Sequence, residues 1–496
     1  MKTLSPATAP PLAPAARWAL ASLSLTILLA SLGTSIANVG LPTLASAFGA
    51  SFQSVQWVVL AYLLAITTVV VSAGRLGDLM GRRRLLLGGV MLFTAACALC
   101  GAAPSLPALI AARAAQGVGA AVMMALAMAF VADTVPKART GSAMGLLGTM
   151  SAVGTALGPT AGGALIAAFG WPAIFLACVP LGLLALFLAQ RFLPLDCSSP
   201  NAAPPGFDHA GTVLLGLTLV AYALAMTLGR GRFGLLNVAL LCASAGAGAL
   251  FLFVQKTASS PLVRLAMFRN PALTAGCAMN ALVTTVMMAT LVVGPFYLSG
   301  ALALSPAEVG LAMSCGPAVS ALAGMPSGRL VDRFGSHGTT VTGLAGMALG
   351  ACLLPYTAAR WAVPGYVAPL ALITAGYALF QAANNTAVMA DVAADRRGVV
   401  SGLLNLSRNL GLVTGASVMG AVYSLGSNAL DAAAAHPEAV AGGLRLTFTV
   451  AAALVLAALA IAAAARFRGH GAGGTAAREQ AEQENQETRK ERQRAR

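Results

Sequence analysis

Long apolar runs separated by short polar stretches extend from residue 18 to residue 466. Most runs contain about 20 residues, the length that an α-helix needs to cross a bilayer. Charged residues make up only 9% of the chain, against roughly 25% in an average soluble protein. The pattern predicts an all-α polytopic membrane protein with fourteen transmembrane helices. These helices are predicted at residues 18–40, 54–74, 84–103, 107–133, 140–168, 172–190, 210–228, 234–254, 272–299, 305–328, 338–357, 363–390, 398–423 and 443–466.

Lysine and arginine are distributed unevenly between the two sides of these helices. If successive helices alternate in direction, most loop cations fall on one side, and cytoplasmic loops are the ones that carry such an excess. We therefore expect a cell-membrane protein with both termini in the cytoplasm, and the net charge of +15 then needs no nucleic-acid partner. The first apolar run has full spanning length without a clear cleavage site, so no signal peptide is expected. The cations on the cytoplasmic side are Arg17, Arg82, Arg83, Arg84, Lys137, Arg139, Arg191, Lys256, Arg264, Arg269, Arg333, Arg396, Arg397, Arg466 and Arg468, while Arg230, Arg232 and Arg360 oppose them.

Two charged, glycine-containing stretches indicate an internal repeat. The first runs from Gly74 to Arg84 after predicted helix 2, and a weaker copy runs from Gly328 to Gly335 after helix 10. Carboxylates and arginines are unfavourable in hydrocarbon, so each stretch is predicted to be a tight turn at the membrane surface. Two copies indicate two related halves.

The spacing of the two stretches fixes the domain organisation. They are eight helices apart, whereas two six-helix halves would place them six apart, so two helices are inserted between the halves. The prediction is two six-helix bundles with pseudo-two-fold symmetry plus two inserted helices. The predicted segments are an N-terminal bundle at 1–191, a cytoplasmic linker at 192–209, the inserted helices at 210–256, a C-terminal bundle at 257–468 and a charged cytoplasmic tail at 469–496.

Several local motifs converge on one family. With the two charged stretches, they resemble the fourteen-span drug:proton antiporter family of the major facilitator superfamily. The resemblance implies a central cavity between two bundles that rock between inward-open and outward-open states. It implies a secondary active exporter of small hydrophobic or amphipathic compounds, exchanged for protons, in a monomer surrounded by lipid and without a cofactor. The further motifs are Leu32–Pro42 in helix 1, Gln56–Leu64 in helix 2, Arg113–Gly119 in helix 4 and Gly154–Gly163 in helix 5.

The resemblance assigns the first charged stretch to a latch that holds the two bundles together on the cytoplasmic side. A carboxylate at a helix end can pair with arginines and with a neighbouring helix N-terminus. The alternative is an ordinary loop whose arginines only fix the topology. The candidate latch residues are Gly74, Asp78, Gly81, Arg82, Arg83, Asp133, Arg408, Asp332 and Arg333.

In helix 5, Gly154, Gly158 and Gly162 share one face because they are four residues apart. Small residues allow close helix approach, and Pro159 removes a backbone hydrogen bond. Together with Gly163, this pattern is characteristic of exporters in the resembled family. The alternative is generic close packing.

The candidate substrate and proton pathway contains Arg113, which is predicted about two turns inside helix 4. A buried guanidinium marks a functional site by default, although it could also pair structurally with a backbone carbonyl. The neighbouring polar candidates could instead join helices by hydrogen bonds. The candidate pathway residues are Arg113, Gln116, Asn38, Tyr62, Asn384 and Asn385.

The positions of the acids modify this interpretation. Outside the tail, all ten acids fall in loops or at helix ends, and Gly33 stands where the resembled family usually has an aspartate. A cavity with Arg113 and no carboxylate favours neutral or anionic substrates over cations. The alternative function is therefore an exporter or uniporter of a neutral or anionic metabolite. No catalytic constellation or P-loop is present, and the cysteines do not supply the two C-x-x-C pairs of a metal site, so we expect neither an enzyme nor an ATP-driven pump.

Overall fold

A computed structural model describes residues 14–134, 140–194, 208–228, 234–258, 261–262, 265–390, 392, 397–427 and 437–494. Helices account for nearly all of these residues, in agreement with the predicted all-α class. The helices are α1 Pro14–Val39, α2 Leu41–Phe48, α3 Phe52–Met80, α4 Arg82–Gly101, α5 Leu106–Thr134, α6 Thr140–Phe169, α7 Ala173–Leu176, α8 Cys178–Phe192, α9 His209–Thr227, α10 Leu235–Thr257, α11 Pro271–Gly300, α12 Pro306–Met389, α13 Arg397–Thr414, α14 Gly420–Ser427 and α15 Pro437–Arg494. A 3₁₀ turn at Leu265–Arg269 precedes α11, and a π-helical turn at Gly415–Met419 joins α13 to α14.

The helix α12 contains three membrane spans. Its 84 residues would extend about 126 Å as one straight helix, roughly four times the thickness of a bilayer core. The backbone leaves helical geometry at Gly335 (φ 76°, ψ 160°) and again at Trp361 and Ala362, where Ala362 has φ 47°. These breaks divide α12 into spans at 306–334, 336–360 and 363–389. With α7–α8 and α13–α14 counted as one span each, the described helices divide into the fourteen predicted spans. By length and hydropathy alone, twelve segments of the described residues qualify as spans, and one of them, Pro326–Met389, contains the Gly335 and Trp361–Ala362 breaks.

Side-chain caps fix where several spans begin. The Ser51 hydroxyl accepts a hydrogen bond from the backbone N–H of Ser54 at the start of α3. At the start of α12, Ser305 and Glu308 form a reciprocal capping box. Such caps satisfy N–H groups that have no partner within the helix, and they place the entry to these spans at the membrane boundary.

The prediction that both charged stretches are turns is wrong in its extent. Helix α3 continues through Gly74 to Met80, and the change of direction is confined to Gly81 (φ 93°, ψ 123°). Likewise, the first span of α12 continues to residue 334 before Gly335 breaks it. The physical reason is tertiary packing, because Gly77 lies so close to Leu126 of α5 that an added Cβ would be 2.6 Å from its side chain. A second difference is the short helix α2, which lies between predicted helices 1 and 2, where no helix was predicted.

The helices pack into two groups and one hairpin. Helix α1 packs on α5, α6 and α8, while α3 and α4 both pack on α5, which gives an N-terminal group. Helix α11 packs on α13 and α15, and α12 also packs on α15, which gives a C-terminal group. Helices α9 and α10 pack mainly on each other, and α9 also packs on α3. Most of the predicted linker at 192–209 lies outside the described residues.

Candidate functional site

Arg113 is completely buried inside the N-terminal group, with 0% of its surface exposed. Its Nε donates to the carbonyl of Val58 at 2.8 Å, and its Nη1 donates to the carbonyl of Gly33 at 3.1 Å. The guanidinium carbon lies 4.2 Å from the ring centroid of Tyr62, a favourable cation–π geometry. Two backbone carbonyls and an aromatic face therefore hold this cation between α1, α3 and α5.

The neighbouring polar groups extend from Arg113 towards α4. Nη1 also donates to the amide oxygen of Gln116, whose Nε2 lies 2.9 Å from the Sγ atom of Cys97. The remaining guanidinium nitrogen, Nη2, is buried and has no hydrogen-bond partner among the described residues. Arg113 and Gln116 thus lie together inside the bundle, where both are buried.

The acids lie at helix ends, as predicted for the part of the chain that the structure describes. Asp208 caps α9, Glu308 lies in the first turn of α12, Glu438 lies in the first turn of α15, and Asp332 is exposed near Gly335. The side chains of Asp78 and Asp133 lie outside the described residues. The carbonyl of Gly33, rather than a carboxylate, faces Arg113.

The other candidate pathway residues occupy different environments. Tyr62 is buried, and its hydroxyl donates to the carbonyl of Ala30 at 2.7 Å. The Nδ2 groups of Asn38 and Asn384 donate to backbone carbonyls, and the Oδ1 atoms of both residues are buried without a partner among the described residues. Asn385 is exposed and accepts from Gln381 at 3.4 Å. Tyr62 and Asn384 therefore join helices and Asn38 bonds within α1, whereas Asn385 presents an amide to an open surface.

The glycine motif of α6 contacts both halves of the protein. An added Cβ at Gly154 or Gly158 would overlap the backbone or side chains of α1, and one at Gly162 would lie 2.8 Å from Val39. Gly163 instead faces α12, where an added Cβ would lie 2.5 Å from the carbonyl oxygen of Pro306. One motif thus packs α6 into its own group and against the other group.

A hydrogen bond and a proline reinforce the contact between α6 and α12. The hydroxyls of Thr160 and Ser314 hydrogen-bond to each other across the interface. Pro159 lies within α6, and its carbonyl is in close contact with Gly310 of α12. The sequence did not single out Thr160 or Ser314, because a single hydroxyl in an apolar run gives no signal.

A second contact between the groups joins the start of α3 to the region around α14. Nε2 of Gln53 donates to the Ser424 hydroxyl at 2.6 Å, and Nε2 of Gln56 donates to the carbonyl of Ala416 at 3.1 Å. Ala416 lies in the π-helical turn, where the altered hydrogen-bond pattern leaves carbonyls available to other donors. Gln56 belonged to a sequence motif but was not predicted to be a contact. The sequence feature that could have indicated this contact is the pair of amides Gln53 and Gln56, which are three residues apart on one face of α3.

Aromatic packing surrounds this second contact. The ring centroid of Phe52 lies 4.5 Å from that of Phe296 and 4.8 Å from that of Tyr423. Phe52 begins α3, whereas the other two rings come from α11 and α14. The two groups are therefore closed against each other, by amides and by aromatic rings, at the membrane face where α3 and α12 begin.

The same helices are open nearer the opposite face. An added Cβ would meet no atom within 4 Å at Gly148 of α6, Gly324 and Gly328 of α12, or Gly402 of α13. All four glycines lie on the side of the protein where Gly81 and Gly335 interrupt the helices. In the described residues, these four glycines adjoin open space, whereas the contacts between the two groups described above lie where α3 and α12 begin.

The structure does not test the predicted latch, because the side chains of Asp78 and Asp133 lie outside the described residues. Nη2 of Arg83 donates to the carbonyl of Gln190 at 2.5 Å, which lies in its own group. The guanidinium of Arg333 lies 5.3 Å from the ring centroid of Phe334. Gly74 has open space beside it, and Arg82 and Arg408 are half-buried. The latch stays a prediction.

Comparison with known proteins identifies the family of the chain. The family model described as Major Facilitator Superfamily matches residues 23–416 and 276–493. The multidrug resistance protein Stp of Mycobacterium tuberculosis is 32% identical over 392 residues, which are 78% of this chain and 72% of that protein. The riboflavin transporter RibZ of Clostridioides difficile is 30% identical over 407 residues, which are 80% of this chain and 86% of that protein.

A solved structure supports the same fold. A bacterial homologue of the human lysosomal transporter Spinster, in an inward-facing and unoccupied conformation, has a TM-score of 0.66 and covers 91% of this chain and 97% of its own. At 17% identity, this likeness concerns the fold alone. With the family match and the two relatives, it shows that this chain is a multi-pass membrane transporter that belongs to the major facilitator superfamily.

Proposed function

We propose that the protein is a secondary active exporter of small amphipathic compounds that works by alternating access. The observation that carries the proposal is the asymmetric closure of the two bundles. The bundles contact each other through Gly163 and Gln56 at one face, while Gly148 and Gly402 of the same helices adjoin open space nearer the other. A carrier needs such an interface, because the closed face must open when the open face closes.

Export and orientation rest on further support. The arginine-rich helix junctions around Gly81 and Gly335 favour a cytoplasmic location for the open face, so the described state is inward-open with both termini inside. Stp, named as a multidrug resistance protein, supports amphipathic compounds as the substrate class. We propose a monomer in contact with lipid that catalyses no reaction.

Proton exchange is the proposed source of energy. The described interior offers the buried cation of Arg113 but no acid beside it. If another transport state exposes Arg113 to the cavity, its charge favours neutral or anionic compounds over cations. RibZ, named as a riboflavin transporter, supports the second candidate function, which is transport of a neutral or anionic metabolite.

The test uses purified protein in proteoliposomes with an imposed pH gradient and a pH-sensitive dye inside. The vesicles are challenged separately with ethidium as a cation, riboflavin as a neutral compound and fluorescein as an anion. Proton flux triggered by a compound, together with movement of that compound, supports coupled export. Movement without proton flux supports the metabolite alternative, and movement of none of the three compounds contradicts both.

A matched variant tests the role of the missing carboxylate. An added Cβ at Gly33 would lie 3.0 Å from the Tyr62 hydroxyl and 3.3 Å from the Phe93 ring, so both rings must move to admit a side chain there. Gly33→Asp is expected to move the preference towards ethidium, since a carboxylate would then lie in the region of Arg113. Gly33→Asn is the control, because it adds the same volume without the charge. An equal preference in the two variants would contradict this reasoning.

A further inference from the structure

The inserted helices α9 and α10 form one closely fastened unit. At one end, the buried carboxylate of Asp208 accepts hydrogen bonds from the backbone N–H of Gly211 at 2.7 Å and from Nε2 of Gln255 at 2.6 Å. At the other end, Nδ2 of Asn237 donates to the carbonyls of Ala225 at 2.7 Å and Leu228 at 2.6 Å. Buried polar groups that are fully paired hold elements in one arrangement, so the two helices cannot easily slide along each other.

A further hydrogen bond joins α9 and α10 near the middle of the hairpin. The hydroxyl of Ser244 in α10 donates to the carbonyl of Thr218 in α9 at 2.9 Å. The outer surface of α10 is apolar and exposed, with Leu235, Leu236 and Phe253 each at least 60% exposed, as expected for a helix that faces lipid. The hairpin thus acts as a single body whose inner helix, α9, meets the rest of the protein.

Helix α9 is seated on α3 along most of its length. The indole N–H of Trp57 donates to the Thr227 hydroxyl at 3.1 Å, and the hydroxyls of Ser72 and Thr212 hydrogen-bond at 2.7 Å. Between these two contacts, an added Cβ at Gly216 would lie 3.1 Å from the side chain of Thr68. Contacts at both ends and in the middle of one helix fix its position and its register against its neighbour.

The same helix also reaches the C-terminal bundle. Helix α9 packs on the π-helical turn and on α14, and the side chain of Tyr222 lies beside that of Thr414. Thr414 is the last residue of α13, directly before the π-helical turn. The hairpin therefore lies across the seam between α3 of one bundle and α13–α14 of the other, on the lipid side.

We propose that the α9–α10 hairpin is a fixed part of the N-terminal bundle that covers this seam, and that the C-terminal bundle moves past it at the contact of Tyr222 with Thr414. The proposal rests on alternating access as the proposed function. Along α9, hydrogen bonds to α3 occur fifteen residues apart, at Thr212 and Thr227, whereas its contact with the described residues of the C-terminal bundle is confined to the region around Tyr222. A body held at two distant points rotates with its support.

Two cross-linked pairs test the proposal, in a background where the exposed residues Cys242 and Cys352 are replaced by alanine. The first pair is Ser72→Cys with Thr212→Cys, within the proposed rigid body. The second pair is Tyr222→Cys with Thr414→Cys, across the proposed moving contact. A short bifunctional methanethiosulfonate reagent is applied to both pairs, because a cysteine at position 222 is much shorter than the tyrosine it replaces.

Transport of the panel compound that the wild-type protein moves fastest is then measured in proteoliposomes, before and after cross-linking. The cross-linked first pair is expected to keep its rate within about twofold. The cross-linked second pair is expected to lose at least 90% of its rate and to regain it on reduction. Inhibition of the first pair, or full activity of the second pair, overturns the proposal.

The controls separate this proposal from the proposed function. Each double variant must transport normally before cross-linking, which shows that it is folded, and single-cysteine variants show that the reagent alone does not inhibit. If the wild-type protein moves none of the three compounds, the proposed function fails before the hairpin is tested. If both cross-linked pairs transport at the unmodified rate, alternating access survives and only the fixed-hairpin proposal is wrong.

Discussion

The contact between Gly163 and α12 offers the sharpest mutational test of the closed face. An alanine at position 163 would place its Cβ 2.5 Å from the carbonyl oxygen of Pro306 and 2.9 Å from the Cα atom of Gly310. Ordinary Cβ contacts begin near 3.4 Å, so α6 and α12 must separate by roughly 1 Å to admit one methyl group. The obstacle is backbone on both sides, which cannot rotate away.

The size of the effect follows from comparing the two transport states. Overpacking an interface by a methyl group costs about 1–3 kcal/mol, and here the penalty applies only to the state in which this face is closed. The gain in helix propensity from replacing glycine, about 1 kcal/mol, is the same in both states and cancels. Gly163→Ala should therefore increase the relative population of the state open at this face by about 5- to 150-fold.

Accessibility of a buried residue at the closed face reports this population. Ser424, which is 7% exposed, is replaced by cysteine and labelled with a membrane-impermeant maleimide from the side on which α3 begins. Gly163→Ala should accelerate labelling, whereas Gly148→Ala, in the same helix beside open space, should leave it unchanged. Equal labelling rates in the two variants would refute the reasoning.

Three other predictions concern single contacts. Gln56→Ala leaves the buried carbonyl of Ala416 without its donor, which costs about 1–3 kcal/mol in the closed state. It should therefore also accelerate labelling at the closed face, whereas Ser54→Ala on the exposed side of α3 should not. Arg113→Lys keeps the charge but loses the planar stacking and the forked donors; we expect a lower melting temperature in detergent, and an unchanged value would contradict the structural role of the guanidinium. Asn237→Ala leaves two carbonyls without their donor, so proteolysis of the connection between α9 and α10 should become faster, whereas a wild-type digestion pattern would contradict the fastening of the hairpin.

Most of the fold could be predicted from the hydrophobic runs and from the distribution of cations along the chain. Fourteen spans were predictable because each run must match the bilayer thickness, and the membrane allows few alternatives to a helix. The predicted and observed spans differ mainly at their ends, where the bilayer thickness constrains the sequence less. Helix α3 extends to Met80 because packing of Gly77 on Leu126 overrides the low helix propensity of its glycines. From composition alone, the same residues indicate a turn.

The site was less predictable because its partners are distant in sequence or belong to the backbone. Arg113 was identified from its position in an apolar run, but its partners include the carbonyls of Gly33 and Val58, and any residue type supplies a carbonyl. Gln56 and Ala416 are 360 positions apart, and the π-helical turn that contains this carbonyl has no signature in the apolar pattern. The glycines of α6 could be placed on one face, but a single sequence does not show that Gly163 faces the other bundle.

The most direct test of alternating access is to lock the closed face. The Thr160 and Ser314 hydroxyls are in hydrogen-bonding contact across the two bundles, so Thr160→Cys with Ser314→Cys places two thiols at the interface. Transport is measured in proteoliposomes after oxidation of this pair and again after reduction. We predict that oxidation stops transport and that reduction restores it. An oxidised, fully cross-linked protein that transports at the reduced rate would contradict the account.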